Sequence, residues 1–167
     1  MKCATLLIIK AMTKQNLHRL QAAYLKHSTS KYPNLPYRAT PEFSDKTTNG
    51  LTNAVIAFIN YSGGQAERIS STGRVIHTGK PINGSCFGIN SKGEGKYIPS
   101  TGTKGTADIS ATIDGRSVKI EIKFGKDRQS EAQKVYQANI EQAKGVYLIV
   151  RDFDTFIEWF DAFTINT

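Results

Sequence analysis

Asp108, Glu121 and Lys123 are the residues of this sequence whose types and spacing favour chemistry. Each alternates with apolar neighbours in one of two segments that Asp114-Gly115 separates. An Asp-Gly dipeptide between two alternating segments predicts a β-hairpin with a two-residue turn. In the register that this turn imposes, Asp108 lies directly opposite Glu121 on the polar face, and Lys123 follows one pleat further along.

Two carboxylates that face each other across a hairpin repel and cost stability. A divalent cation is the obvious compensation, and oxygen ligands without His or Cys favour Mg²⁺ or Mn²⁺ over zinc. An ammonium on the same face can orient or deprotonate a water, or stabilise charge that develops on a phosphate. The pattern therefore predicts a metal-dependent hydrolytic site. The competing interpretation is a polar, solvent-facing sheet surface, because E-x-K patterns are common in strands.

The elements that must position these residues follow from hydrophobic periodicity. Five apolar residues at helical spacing predict one amphipathic helix, and these are Leu51, Ala54, Val55, Phe58 and Ile59. Short strands are expected at residues 65–70 and Arg74–His77, around a turn, and a long loop at residues 78–104. After the hairpin we expect a helix at about residues 129–144, a strand Val146–Val150 buried on both faces, and a last helix capped by Asp152 or Asp154. The core order α-β-β-β-α-β-α predicts an α/β fold with a mixed β-sheet flanked by helices.

The N-terminal part of the chain is strongly basic. Residues 1–41 carry seven of the 22 Lys and Arg side chains and none of the 14 acidic ones. Thr13 is the expected cap of a helix at about residues 14–27, and a Pro-rich linker follows it. The apolar stripe of this helix is most simply a docking face, and it consists of Leu17, Leu20, Tyr24 and Leu25. We therefore predict a basic N-terminal helical arm at residues 1–47 and a core domain at residues 48–167. Such an arm favours a polyanionic partner, and solubility alone is the alternative.

Cysteine usage and hydropathy restrict the compartment. Cys3 and Cys86 have no zinc-binding spacing. The apolar segment 3–9 is interrupted by Lys10, and no segment has the about 20 apolar residues that a membrane span needs. We expect a cytoplasmic protein without a membrane partner, in which residues 1–11 are a peripheral extension.

Four segments together resemble the VRR-NUC branch of the PD-(D/E)XK nucleases, in particular small phage-type and Holliday-junction-resolvase-like members. They are residues 105–108 (GTAD), 120–123 (IEIK), 130–137 (SEAQKVYQ) and 145–147 (GVY), and the resemblance spans about residues 49–160. It implies a restriction-endonuclease-like core, hydrolysis of DNA phosphodiester bonds with Mg²⁺ or Mn²⁺, and a homodimer. It also implies that Asp108, Glu121 and the carbonyl of Ile122 bind the metal, that Lys123 is the catalytic lysine, and that Gln133 lies near the site.

The sequence leaves two points open. Ser130 and Gln133 also have the spacing of a helix capping box, which would explain Gln133 without a role in the site. Many relatives carry an acidic residue on the first core helix, where this chain has Asn49, Thr52 and Asn53. Water or an amide fills that place, or Glu67 substitutes from the neighbouring strand.

Several basic residues are candidates for contact with DNA, and they are Arg68, Arg74, Lys92, Lys96 and Lys104. The missing helix acid supports an alternative function, a catalytically weak or inactive nucleic-acid-binding module of the same fold. A second alternative is an assembly protein that uses the first helix as an oligomer contact.

Overall fold

The computed structural model describes residues 11–70, 74–77, 95–98 and 102–165, and the chain divides into two compact units. The main unit consists of residues 1–69 and 105–167, and the smaller unit consists of residues 70–104. In chain order the elements are α1 (Lys14–Lys31), α2 (Thr48–Tyr61), β1 (Gln65–Arg68), β2 (Arg74–His77), β3 (Gly95–Ile98), β4 (Ile109–Ile113), β5 (Arg116–Ile122), α3 (Glu131–Gln142), β6 (Val146–Val150) and α4 (Phe153–Ile165). Within the described ranges, no helix is both long enough and apolar enough to span a membrane.

The main unit is a four-stranded mixed sheet flanked by helices. Its strand order is β1-β4-β5-β6, in which β4 pairs antiparallel with β1 and β5, and β5 pairs parallel with β6. From α2 onward its elements follow the predicted order α-β-β-β-α-β-α. The sequence therefore predicted the α/β class, the mixed sheet and its flanking helices, and these are confirmed.

Helix α2 packs its apolar stripe into the core as its periodicity requires. Thr47 caps the helix, since its side chain accepts a hydrogen bond from the amide of Gly50 at 3.0 Å. The ring of Phe58 meets three aromatic rings of α4 edge to face, at centroid distances of 5.2 to 6.1 Å. Five apolar residues of α2 are buried, namely Leu51, Ala54, Val55, Phe58 and Ile59. The predicted core face of this helix is confirmed.

Helix α1 belongs to the core of the main unit rather than to a separate arm. Leu20 is fully buried in the hydrophobic core. Asp154 of α4 accepts hydrogen bonds from the backbone and hydroxyl of Thr13 at 3.1 and 3.0 Å and from the side-chain amide of Asn16 at 2.7 Å. Arg19 forms a two-pronged ion pair with Asp161. The boundary predicted near Thr47 consequently does not coincide with the division of the structure into units.

Two further expectations differ from the structure. The loop predicted at residues 78–104 contains β3, which pairs with β2, so β2 is not in the same sheet as β1. Strand β6 was predicted to be buried on both faces, but it is an edge strand in which Ile149 is 37% exposed. A continuous apolar run also occurs in strands whose faces are only partly covered, as in β6, and this explains the second error.

Replacing Leu20 by alanine is expected to lower the free energy of unfolding by about 2–5 kcal/mol, because the change leaves a cavity in the core. Leu25 on the same helix is 40% exposed and is the matched control. Leu25→Ala should cost less than about 1 kcal/mol. Urea denaturation of both variants measures the difference. Equal, small losses would contradict the placement of α1 in the core.

Candidate active site

The turn between β4 and β5 determines which residues face each other. Asp114 and Gly115 both have positive φ angles, 47° and 73°, as a type I′ hairpin turn requires. Ile113 pairs with Arg116, and further back Ile109 pairs with Ile120. The predicted register is confirmed, and it brings the residue before Ile109 and the residue after Ile120 to the same end of the hairpin.

Asp108 is that first residue, and two neighbouring strands hold it. Its carbonyl accepts a hydrogen bond from the amide of Ile69 at 2.8 Å, just after β1. Its carboxylate Oδ2 accepts one from the amide of Ile122 in β5 at 2.9 Å. The half-buried side chain is therefore positioned by backbone contacts on both sides. The amide of Ile122 is the group that contacts Asp108, and its carbonyl stays a predicted metal ligand.

Glu121 and Lys123 form a buried ion pair beside Asp108. Only 1% of Glu121 and 5% of Lys123 is exposed, and Lys123 Nζ lies 3.0 Å from Glu121 Oε1. The ammonium also lies 3.5 Å from Oδ2 of the exposed Asp127. The ammonium of Lys123 therefore offsets the negative charge of Glu121. For this reason, the repulsion between Glu121 and Asp108 does not by itself require a metal ion.

Gln133 combines the two interpretations that the sequence left open. Its Oε1 accepts a hydrogen bond from the amide of Ser130 at 2.9 Å, and Ser130 Oγ accepts one from the amide of Gln133 at 3.3 Å, which completes the capping box of α3. The same Oε1 accepts a hydrogen bond from Lys123 Nζ at 3.0 Å, and Nε2 donates a short one to Glu121 Oε1. The cap that begins α3 therefore also orients the side-chain amide toward the ion pair.

A glycine lets the chain approach this helix end closely. Gly105 has a φ of +79°, and a Cβ atom built on it would lie 2.3 Å from the backbone of Ala132 and 2.7 Å from the amide nitrogen of Gln133. Any other residue would clash with the first turn of α3. The GTAD segment thus contributes backbone packing at Gly105 as well as the carboxylate of Asp108.

The pKa of Glu121 is raised above its ordinary value. Burial is the main cause, and the negative charge of Asp108 adds to it. The hydrogen bond and the charge of Lys123 act in the opposite direction but do not cancel the effect of burial. Carboxyl groups with perturbed pKa values beside a specific charge partner are typical of functional sites, although structural ion pairs show them too.

Tyr147 is a member of the cluster that sequence reasoning missed. Its hydroxyl donates a long hydrogen bond of 3.5 Å to Glu121 Oε2. The residue stands in the apolar run of β6 and ends the GVY segment of the resemblance, but no role in the site was predicted for it. The signal lay in the parallel pairing of β5 with β6, which sets Tyr147 beside Lys119, on the same face as Glu121.

The phenol of Tyr147 should resist ionisation in the folded protein. Burial, and next to it the negative charge of Glu121, raises its pKa to about 12. At about pH 11 an ordinary tyrosine is about nine-tenths ionised, since its pKa is about 10. The ultraviolet difference spectrum between the parent and Tyr147→Phe should therefore show a protonated phenol at this pH, with circular dichroism confirming that both remain folded. The stability that the neutral phenol contributes should be lost as pH rises from about 10 to about 12. An ionised phenol in the folded parent at about pH 11 would contradict the prediction.

The predicted DNA-contact residues do not all belong to one unit. Arg68 is exposed on β1 of the main unit, and its guanidinium donates a hydrogen bond to Asn49 Oδ1 at 3.0 Å. Arg74 and Lys96 stand in β2 and β3 of the smaller unit, to which the exposed Lys104 also belongs. Lys92 lies outside the described residues. Their contact with DNA stays a prediction.

Most of the residues that could replace the acidic residue missing from the first core helix lie on the surface. Asn49 and Asn53 of α2 are exposed, and so is Glu67, which pairs with Ser110. Thr52 is buried, and its hydroxyl donates a hydrogen bond to the carbonyl of Thr48 at 2.8 Å. Neither Asn49 nor Asn53 adds a carboxylate to the site.

The candidate site offers carboxylate oxygens from two residues, which suits Mg²⁺ better than a metal ion that takes all its ligands from the protein. Across the described part of the chain, no group of three or more His, Cys, Asp and Glu side chains is arranged to hold a metal ion. Mg²⁺ commonly binds through one or two carboxylates together with water and substrate phosphates. Asp108 and Glu121 are close enough for the charge of one to raise the pKa of the other, and they offer such a pair.

Comparison with known proteins found no family model, no curated protein and no solved structure that matches this chain.

Proposed function

We propose that this protein is a metal-dependent endonuclease that hydrolyses phosphodiester bonds in DNA, built on the restriction-endonuclease-like core of the PD-(D/E)XK nucleases. The observation that carries the proposal is the convergence of Asp108, Glu121, Lys123 and Gln133. The last three form a hydrogen-bonded cluster, in which Glu121 and Lys123 are buried. Burying an ion pair costs desolvation energy that a solvent-facing polar surface would avoid. The burial of Glu121 and Lys123 therefore favours a site over a merely polar sheet face.

The chemistry follows from the ligands and their charges. Asp108 and Glu121 would hold a divalent ion, which supplies a Lewis acid for the phosphate and lowers the pKa of a bound water. Lys123 offers an ammonium that stabilises the negative charge of the pentavalent transition state. Gln133 keeps Lys123 and Glu121 in place through its two hydrogen bonds. In the reaction the water gives up a proton as its oxygen bonds to phosphorus, the P–O bond to the leaving sugar oxygen breaks, and that oxygen takes up a proton.

The second candidate function is a nucleic-acid-binding module of the same fold with weak or no catalysis. Two observations favour it. The first core helix presents Asn49 and Asn53 in place of an acid, and Lys123 already neutralises Glu121.

A cleavage assay with linear, flapped and four-way DNA, in Mg²⁺, Mn²⁺ or EDTA, separates the two functions. We expect the parent to cut at least one substrate with metal and none in EDTA. Asp108→Asn should lower the rate by a factor on the order of a thousand, because loss of a metal ligand removes several kcal/mol of transition-state stabilisation. Asp114→Asn is the matched control, since asparagine also suits the exposed hairpin turn. Binding without cleavage would favour the second function, and full activity of Asp108→Asn would refute the assignment of Asp108.

A further inference from the structure

A surface pocket of about 400 Å³ lies on the main unit, just beyond the ends of β5 and β6. Its lining consists of Gly125, Lys126, Asp127, Arg128 and Arg151. The two strands are parallel, so their carboxyl ends lie at the same edge of the sheet. That edge is where ligands commonly bind in sheets with parallel strands.

A tight turn presents the loop that forms one side of this pocket. Gly125 has a φ of +58°, and the amide of Asp127 donates a hydrogen bond to the carbonyl of Phe124 at 3.1 Å. Arg151 stands on the other side and donates a hydrogen bond to the carbonyl of Asp127 at 3.3 Å. The loop and the end of β6 are thus joined, which gives the pocket defined walls.

The pocket is connected to the candidate active site through Lys123. Asp127 Oδ2 lies 3.5 Å from Lys123 Nζ. The amide of Lys123 donates a hydrogen bond to the carbonyl of Val150 at 2.9 Å, and Arg151 is the next residue of the chain. A ligand in the pocket would therefore lie next to the ion pair of Glu121 and Lys123.

The residues that line the pocket carry a net positive charge, which favours an anionic ligand. Lys126, Arg128 and Arg151 are all exposed, and within the described ranges none of them belongs to an ion pair. The carboxylate of Asp127, the acid of the lining, lies beside Lys123. Guanidinium groups bind phosphate oxygens through paired hydrogen bonds, and lysine adds a mobile charge.

We propose that this pocket binds a backbone phosphate of DNA, adjacent to the phosphate that is cleaved. The inference rests on the proposed function for its ligand, and it assigns to Lys126, Arg128 and Arg151 a positioning role that the sequence did not reveal. Asp127 opposes the phosphate by charge, so its neutralisation should strengthen binding. If these residues formed only a solvated loop without a ligand, loss of a cation would not weaken DNA binding and neutralisation of Asp127 would not strengthen it.

Binding of a fluorescein-labelled DNA duplex in EDTA, followed by anisotropy at several salt concentrations, tests the inference without cleavage. Each of Lys126→Ala, Arg128→Ala and Arg151→Ala should weaken binding and reduce the slope of log affinity against log salt, and the three changes together should reduce it by about 0.9, the contribution of one neutralised phosphate. Asp127→Asn should bind more tightly than the parent. Lys134→Ala is the matched control, because Lys134 is an exposed cation already paired with Glu131, and its slope should equal the parental slope. Thermal midpoints near the parental value verify that each variant is folded.

The outcomes separate this inference from the proposed function. Parental affinity and slope in all three alanine variants would overturn the inference, even if the parent cleaves DNA in Mg²⁺. Failure of the parent to bind the duplex at low salt would also overturn it. Weaker binding and smaller slopes in these variants would support the pocket, even if no metal produced cleavage and the nuclease proposal failed.

Discussion

Replacing Glu121 by glutamine is expected to abolish metal-dependent DNA cleavage while the protein stays folded. The substitution keeps the shape of the side chain and an oxygen that can accept the hydrogen bond of Gln133. It removes the negative charge that would bind the metal, and Lys123 keeps the carboxylate of Asp127 as a charged neighbour. Loss of several kcal/mol of transition-state stabilisation lowers the rate by a factor of at least about a thousand. The rate of plasmid nicking in Mg²⁺ measures the effect.

The same variant has an expected signature in stability against pH. Because the pKa of Glu121 is raised in the folded state, the folded protein holds this proton at pH values where the unfolded chain has lost it. The stability that Glu121 contributes is therefore fully present below its ordinary pKa, and it is lost as pH rises toward the pKa of Glu121 in the folded state. Glu121→Gln should lack this decrease, so its stability relative to the parent should increase with pH across that window. Urea denaturation of both proteins at several pH values measures the difference.

Glu158→Gln is the control for the cleavage experiment, since Glu158 is an exposed carboxyl on α4. It should keep the parental cleavage rate. Parental cleavage by Glu121→Gln would refute the catalytic assignment. A stability difference that did not change with pH would contradict the raised pKa but leave the catalytic assignment intact.

Replacing Lys123 by methionine is expected to have the largest effect on stability at neutral pH. Breaking a buried ion pair by removing one partner leaves an uncompensated charge and costs about 3–5 kcal/mol. Without Lys123, the pKa of Glu121 loses the main influence that lowers it and rises further. The penalty should therefore be small below the ordinary pKa of a glutamate and should grow as pH rises above it. Cleavage should be lost at every pH.

The double variant Glu121→Gln/Lys123→Met tests whether the charge of Glu121 causes this penalty. Once the carboxylate is absent, methionine at position 123 should cost much less, so the two changes should not add. Lys134→Met is the control for loss of a cation, because Lys134 pairs with Glu131 on the surface of α3. Additive losses in the double variant would show that packing at position 123, rather than charge, explains the result.

The hairpin of the candidate site could be predicted because its information is local. The Asp114-Gly115 turn specifies the pairing of β4 with β5 without help from distant residues. Alternation then assigns Asp108, Glu121 and Lys123 to one end and one face. The resemblance suggested a place near the site for Gln133, whereas the capping box that begins α3 is a local sequence pattern and predicted only its role in the cap. The sequence could not reveal that one side chain serves both the cap and the ion pair.

The remaining features depend on contacts between distant parts of the chain. The basic composition around Leu20 suggested an arm, but the helix is anchored by Asp154 and Asp161 of α4, more than a hundred residues away in sequence. The short strand β3 has too few apolar residues to be recognised among its Gly, Ser and Lys neighbours. The pocket at Arg128 and Arg151 forms where two segments meet, which neither segment indicates alone.

The smaller unit leaves and rejoins the main sheet at neighbouring points. Arg68 at the end of β1 pairs with Ile109 at the start of β4, and Ile69 and Asp108 are joined by a hydrogen bond just beyond them. Residues 70–104 thus connect two strands that pair with each other in the main sheet. The entropic cost of closing such a connection increases only slowly with its length. Insertions or deletions within residues 70–104 can therefore change the length of this connection without moving Asp108. Evolution can therefore change the smaller unit while the sheet of the main unit is inherited unchanged.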